Sequence, residues 1–391
     1  MPLISRRQTM LTIALALPVL GISGSLGASA PTPEPGWYPL DLDRDRYLTV
    51  PVSINGRTLR AVVDSGSLRS ILRHDLALEM GLPYLGQTLV QTFTEQLPGE
   101  LYKLDSFEMF GVSVKHLAIG GFDLAQMEAV NRLDLPFVVG QDVLTSIDLQ
   151  VDFVGKRMRA FKPGHTPIGP DHKQVNLYGA NEGFPAIALT IEGHHHGDAI
   201  VDLGSNVTMM MSADFVRETG LLNGRRTSTA VTAGIEGTSL GEIFCINDVK
   251  MGPFHLKSLP VHILEDWEMA QPIYVGWPFF RAFDVFMRLR NETFHLMADA
   301  ALLAADFPKD RSGLGGQRAP DGIRVVHVAR NSPGWNAGLR EGDVIKSIDG
   351  RQITTTYPAR GQRFGYGPAG KAIQLGLLDG RVVSLTLSDY F

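Results

Sequence analysis

The chain has 391 residues, 44% hydrophobic and 20% charged, with 42 glycines and 23 prolines; it is neither disordered nor collagen-like and is long enough for two to three domains. A net charge of −5 and a pI near 6.1 offer no basic surface for nucleic acid or anionic lipid. The single cysteine, Cys245, excludes an internal disulfide and a multi-cysteine zinc site, and no cysteine stands near the N-terminus to take a lipid anchor.

At the N-terminus, Ser5-Arg6-Arg7 precedes an uncharged stretch from Met10 to Gly27, and Ala28-Ser29-Ala30 follows. A charged start, a short apolar segment and small residues predict a secretory signal over residues 1–30, and the paired arginines resemble a twin-arginine export signal. Leu11 to Leu20 is too short to cross about 30 Å of hydrocarbon. No stable transmembrane span is therefore expected after cleavage, and the expected location is the periplasm or cell envelope; an uncleaved N-terminal anchor is the alternative. Residues 31–44, opening with Pro31, Pro33 and Pro35, read as an extended linker.

The middle of the chain repeats itself. Leu48 to Ser67 and Phe184 to Ser205 share one pattern: an alternating strand, a short turn with glycine, a second strand, then an aspartate followed by x-Gly-Ser. Asp64 and Asp202 are 138 residues apart, Gly81 and Gly220 139, Gly111 and Gly252 141, and Gly140 and Gly276 136. Four anchors at nearly constant offset indicate a duplicated unit of about 125 residues. Within it, Thr49 to Ile54 and Leu59 to Val63 carry strand periodicity around an Asn55-Gly56 hairpin signal. Short helices are predicted over His74–Met80 and Ala213–Thr219, each stopping at a glycine. The expected architecture is mainly β: one lobe over 45–165 and a second over 166–300.

Each lobe ends an apolar strand in a carboxylate, at Val62-Val63-Asp64-Ser65-Gly66-Ser67 and at Ile200-Val201-Asp202-Leu203-Gly204-Ser205. Gly66 and Gly204 let the backbone turn sharply and approach closely. If the lobes pack about a pseudo-twofold axis the aspartates meet, and two carboxylates that close share a proton. One then deprotonates a trapped water while the other protonates the carbonyl or leaving nitrogen, hydrolysing an amide without metal or cofactor.

These residues resemble the aspartic peptidases, specifically retropepsin-like lobes fused into an internal dimer as in bacterial exported proteins. The resemblance runs over about residues 45 to 300. It makes Asp64 and Asp202 the catalytic dyad and Gly66 and Gly204 the shapers of their loops. Ser67 and Ser205 become supports for the outer carboxylate oxygens. Val138-Val139-Gly140 and Tyr274-Val275-Gly276 match the family's second signature, which packs under those loops. Where the family carries Thr or Ser, whose hydroxyl bonds across to the other lobe, Ser65 supplies one side of the grip and Leu203 cannot supply the other. The resemblance also implies hairpin flaps over the cleft, at Val90–Tyr102 with a turn at Leu97-Pro98-Gly99-Glu100, and at Val231–Leu240 with a tip at residues 233–237. His194-His195-His196 occupies a turn and is expected to be solvated, not metal-bound, because successive strand residues point to opposite faces.

After a short Ala-rich link over 301–311, residues 312–391 carry Ser332-Pro333, Ala337-Gly338-Leu339 and Gly342-Asp343-Val344-Ile345 before Ile348-Asp349-Gly350. This run resembles a PDZ domain of the type attached to bacterial envelope proteases. Such domains bind peptides by strand addition, with a loop of backbone N–H groups on a terminal carboxylate; Leu314, Gly315 and Gly316 would form that loop here. The expected function is an exported aspartic endopeptidase whose PDZ domain binds substrate or a C-terminal peptide ligand. The alternative is a catalytically weak or inactive peptide-binding protein of the envelope with the same fold.

Overall fold

The computed structural model describes residues 36–42, 47–92, 96–124, 134–179, 183–234, 237–358 and 362–391; the expected export signal lies outside them. Among the described residues no helix is long and apolar enough to cross a membrane.

The duplication is visible in the sheets. In the first lobe seven strands lie in the order 49–54, 57–63, 137–139, 71–73, 112–122, 96–109 and 84–91, and the first also pairs with the sixth. The second lobe repeats this with 186–191, 195–202, 273–276, 209–212, 254–264, 237–251 and 228–234, again pairing first with sixth. That extra pairing curls each sheet into a partly closed barrel. Asn55 and Gly56 both take positive φ, 45° and 81°, the geometry of the two-residue turn that joins Thr49–Ile54 to Arg57–Val63. Helices form at His74–Glu79 and Ala213–Thr219; the second is capped by the Ser212 hydroxyl, which accepts the Phe215 N–H, and stops at Gly220 in the left-handed region.

A third sheet binds the two lobes together and was not anticipated. Its order is Tyr38–Pro39, Arg157–Phe161, Asp148–Asp152, Phe283–Arg288, Thr293–Ala298, Lys173–Asn176, so a first-lobe strand pairs directly with a second-lobe strand, Val151 opposite Val285. Leu149, Val151, Val285 and Met287 alternate onto the buried face and join one apolar core that runs through both lobes. On the other face Gln150 Nε2 donates to both Asp284 oxygens, at 3.0 and 2.8 Å. The expected linker 31–44 therefore contributes a strand, and Trp37 stacks under the guanidinium groups of Arg157 and Arg159. Part of the expected link 301–311 is likewise ordered, as the helix Ala300–Ala304 capped by Asp299.

The C-terminal unit forms its own sheet, in the order Leu314–Ala319, Gly322–Val328, Val344–Ile348, Ala372–Leu377, Val382–Thr386, around a separate core containing Ile323, Val325, Ile345 and Leu375. It packs on the second lobe: Ala329, Tyr390 and Phe391 bury against Ile243, and Thr229 Oγ1 lies 2.9 Å from His327 Nε2.

Candidate active site

Asp64 follows the strand Arg57–Val63, which runs parallel to Phe137–Val139, and its N–H donates to the Val139 carbonyl at 3.0 Å. Asp202 ends the strand His195–Asp202, which runs parallel to Ile273–Gly276 with Asp202 opposite Gly276. The apolar-apolar-Gly segments thus lie directly beside the aspartate loops. Neither glycine has room for a side chain: a Cβ on Gly140 would come within 2.5 Å of the Arg69 carbonyl carbon, and one on Gly276 within 2.2 Å of the Val207 carbonyl oxygen.

The loops bring the two carboxyl groups together. The Gly66 N–H donates to Asp64 Oδ1 at 2.8 Å and the Gly204 N–H to Asp202 Oδ1 at 2.5 Å. Each glycine also packs on the other lobe's aspartate: a Cβ on Gly66 would sit 2.5 Å from Asp202 Cγ, and one on Gly204 2.4 Å from Asp64 Cγ. The carboxyls are hydrogen-bonded to each other, and both residues are fully buried.

Their surroundings differ. Burial, then the charge on Asp202, then the shared hydrogen bond hold the Asp64 carboxyl well above the usual carboxylate range. Burial also raises Asp202, but hydrogen bonds from Asp64, Tyr274 and backbone N–H groups oppose the rise. The two carboxyls titrate as one coupled pair, in which the donors on Asp202 favour its ionised form. Asp64 Oδ2 is buried and has no partner among the described residues.

The supporting residues are partly as expected. Ser65 Oγ donates to the Val201 carbonyl at 2.8 Å and accepts the Leu203 N–H at 3.0 Å, which is one side of the cross-lobe grip. Leu203 gives nothing in return and is buried in the apolar core. Gln141 holds the first loop instead, its Nε2 donating to the Ser65 carbonyl at 2.9 Å. The hydroxyls of Ser67 and Ser205 do not support the carboxylates directly. Ser67 Oγ donates to the Arg69 carbonyl at 2.7 Å, leaving only its N–H for Asp64. Ser205 Oγ accepts the Val207 N–H at 3.2 Å and bonds to the Tyr274 hydroxyl. Tyr274 in turn donates to Asp202 Oδ2, so Ser205 acts through it. The sequence pointed to no role for Gln141 and placed Tyr274 only in the signature that packs under the loops; the available signal was a hydroxyl at Tyr274 where the matched first-lobe position is Val138.

An apolar cluster flanks the site in each lobe. Phe184, Ile200, Val207, Met210 and Tyr274 form a cluster on the second-lobe side, and Leu68 packs on both this cluster and its first-lobe counterpart. The first-lobe hairpin turns between Gln91 and Gln96, not at Leu97–Glu100, which lie within the strand Gln96–Met109 with Gly99 opposite Thr88. In the second lobe Gly234 pairs with Gly237, so the expected tip is the turn; residues 235 and 236 lie outside the described residues.

The aspartyl protease family matches residues 50–140 and again 187–279, and the PDZ domain family matches 324–375. The chain carries two tandem aspartyl protease domains followed by a PDZ domain. It is also 22% identical, over 272 residues, to the serine protease Do-like HtrB of Bacillus subtilis (strain 168), a match covering 67% of this chain and 55% of that protein. The chain thus spans about half the length of that relative.

In the PDZ domain the residues expected to form the carboxylate loop open a strand. Leu314, Gly315 and Gly316 belong to the edge strand Leu314–Ala319, with Leu314 in the domain core. In the preceding turn the Gly313 N–H donates to Asp310 Oδ2 at 2.6 Å and the Leu314 N–H to Ser312 Oγ at 3.2 Å. Those two amides are already satisfied within the domain. For His194–His196, the first ends the turn and the other two begin the strand His195–Asp202. Among the described residues no group of three or more His, Cys, Asp or Glu could hold a metal ion.

Proposed function

We propose that the chain is an exported aspartic endopeptidase that cleaves peptide bonds at Asp64 and Asp202, with its PDZ domain recruiting polypeptide. The observation that carries this reading is the reciprocal packing of Gly66 on Asp202 and Gly204 on Asp64, which presses two buried carboxyls into one hydrogen-bonded pair. A water entering between them meets Asp64 Oδ2, the oxygen with no partner among the described residues. Asp202 takes a proton from that water as its oxygen bonds to the scissile carbonyl carbon, while Asp64 gives its proton to the carbonyl oxygen. The tetrahedral diol then collapses: one of its hydroxyls returns a proton to Asp64 as the carbonyl re-forms, the C–N bond breaks, and the proton on Asp202 passes to the leaving nitrogen. Tyr274, by donating to Asp202, keeps that residue the ionised partner at the start of each cycle. Among the described residues no serine hydroxyl is hydrogen-bonded to a histidine, so the serine chemistry named for the Bacillus protein has no counterpart pair to rest on. Export is inferred from the N-terminal sequence pattern alone.

A second reading, a peptide-binding protein without turnover, is favoured by the closed state of the dyad and by the absent hydroxyl at Leu203. The two separate by inhibitor class. Release of peptides from unfolded casein that a hydroxyl-bearing transition-state analogue such as pepstatin blocks, and a serine-directed phosphonofluoridate does not, supports the peptidase. The opposite inhibitor pattern, or no release between pH 3 and 8, removes it.

A further inference from the structure

A cavity of about 820 Å³ lies where the second protease lobe, the third sheet and the PDZ domain meet. The dyad does not line it. Its wall includes Asn206, just past the Asp202 loop, and His262, in the strand Phe254–Leu264.

Both residues are 5% exposed, and both carry buried atoms with no partner among the described residues: Asn206 at Nδ2 and Oδ1, His262 at Nδ1. Buried polar atoms left unpaired are costly. The fold does not demand these two. Asn206 stands four residues after Asp202, where the first lobe has Leu68 four residues after Asp64. Met210 pairs with His262 as Leu72 pairs with Gly121, so His262 stands where the first lobe has a glycine. The backbone around Asn206 is pinned on both sides, by the Trp277 N–H on the Ser205 carbonyl at 3.0 Å and the Gly276 N–H on the Val207 carbonyl at 3.1 Å. Its amide is thus presented from a fixed loop with donor and acceptor both open. Most of the charge in the wall, by contrast, is already committed. Lys309 Nζ lies 3.3 Å from both Asp389 Oδ2 and the Phe391 carbonyl, and Arg281 donates to the carbonyls of Leu302, Ala305 and Asp306. Asp310 is bonded to Ser312, Gly313 and Tyr390. Arg363 lies over the Tyr366 ring at 4.4 Å; burial, then the charge of Arg363, lowers the His262 pKa to about 4 and leaves a neutral imidazole. Much of the remaining wall is apolar or aromatic, with Val207, Val231, Pro260, Trp277, Tyr366 and Phe391.

We propose that this cavity binds a small neutral molecule that carries a carboxamide on an aromatic body, with the amide paired to Asn206 and a second polar group meeting His262. A carboxamide is the neutral group that offers one acceptor and one donor side by side, the complement of what Asn206 leaves open. The aromatic body matches the rings of Trp277, Tyr366 and Phe391, and the volume is that of a small-molecule pocket. The site depends neither on turnover at the dyad nor on peptide recruitment by the PDZ domain. It nonetheless adjoins the dyad's support, because Asn206 follows Ser205, which bonds to Tyr274, the donor to Asp202.

The test is ligand-observed NMR titration of the full chain with three probes: N-acetyl-tryptophanamide, 3-methylindole, which has the ring without the amide, and N-acetyl-tryptophan, which is charged. The neutral amide is expected to bind about tenfold more tightly than either of the others. Asn206→Leu should bring it down to the level of 3-methylindole while melting at or above the wild-type temperature, because leucine restores the first-lobe residue and removes an unpaired polar group. Equal binding of the three probes, tighter binding of the charged one, or an Asn206→Leu protein that binds as wild type overturns the proposal. So does a cavity that takes only water and binds no probe. Should Asn206→Leu not fold, the side-chain amide resonances of Asn206 in the wild type must shift on saturation with N-acetyl-tryptophanamide; no shift overturns it equally. Displacement of the probe from Asp64→Asn by unfolded casein would assign the site to polypeptide and likewise overturn it. No arm requires hydrolysis, so failure of the peptidase reading would leave this result untouched.

Discussion

Tyr274 makes the two halves of the dyad unequal. The duplication placed Val138 and Tyr274 at matched positions, and only the second carries a hydroxyl, which donates to Asp202 Oδ2. Removing it in Tyr274→Phe takes away one of the hydrogen bonds that hold the Asp202 pKa down. The acid limb of a kcat/KM profile, which reports ionisation of Asp202, should then move toward higher pH. A limb that stays in place would show that the hydroxyl only fills space. The same variant should lose about 1–3 kcal/mol of stability in chemical denaturation, because it leaves a buried acceptor short of a donor. Asp64 gives a second test. Its pKa is raised by folding, so between its unfolded and its folded value the native state binds the extra proton and stability falls as pH rises. Asp64→Asn removes that loss. Its melting temperature relative to wild type should therefore climb from pH 4 to pH 7, and a difference that is flat or falling with pH would contradict a proton resting on Asp64.

At the scale of elements, the loops and strands that carry the site were legible in the chain because their signals are local. Asn55-Gly56 fixed a turn, and the repeated Asp-x-Gly-Ser after an apolar run fixed the position of each carboxyl. What was not legible depends on partners distant in sequence. Leu149 and Val151 alternate like any half-buried strand, and nothing in their neighbourhood says that Val285 and Met287 of the other lobe complete the sheet. Leu97–Glu100 offered Pro98 and Gly99 as a turn, yet cross-strand pairing with Gln87–Val90 extended the strand past them. Ser67 and Ser205 lie at the expected spacing, but closer acceptors and Tyr274 took their hydroxyls. Gln141 shows the compensation: with Leu203 unable to grip, its amide holds the Ser65 carbonyl. Gln141→Leu should destabilise by about 1–3 kcal/mol and lower kcat more than it raises KM, since it loosens the loop under Asp64. A change confined to KM would place Gln141 outside the support of the dyad.

Across the whole molecule, the third sheet and the continuous core tie the lobes into one unit, so the approach of Asp64 to Asp202 is fixed by strand pairing at 148–152 and 283–288 as well as by the loops themselves. The PDZ domain is seated on the second lobe through Tyr390, Phe391 and Ala329, beside the hairpin of Ser228–Gly234 and Gly237–Met251. Both carboxyls are fully buried, so substrate reaches them only when the structure around them moves. The decisive measurement is kcat/KM for hydrolysis of one unfolded polypeptide by wild type, Asp64→Asn and Asp202→Asn under acidic conditions. A dyad that shares one proton predicts cleavage by wild type and a loss of at least about 10²–10⁴-fold in each variant. Cleavage that survives in either variant would contradict it.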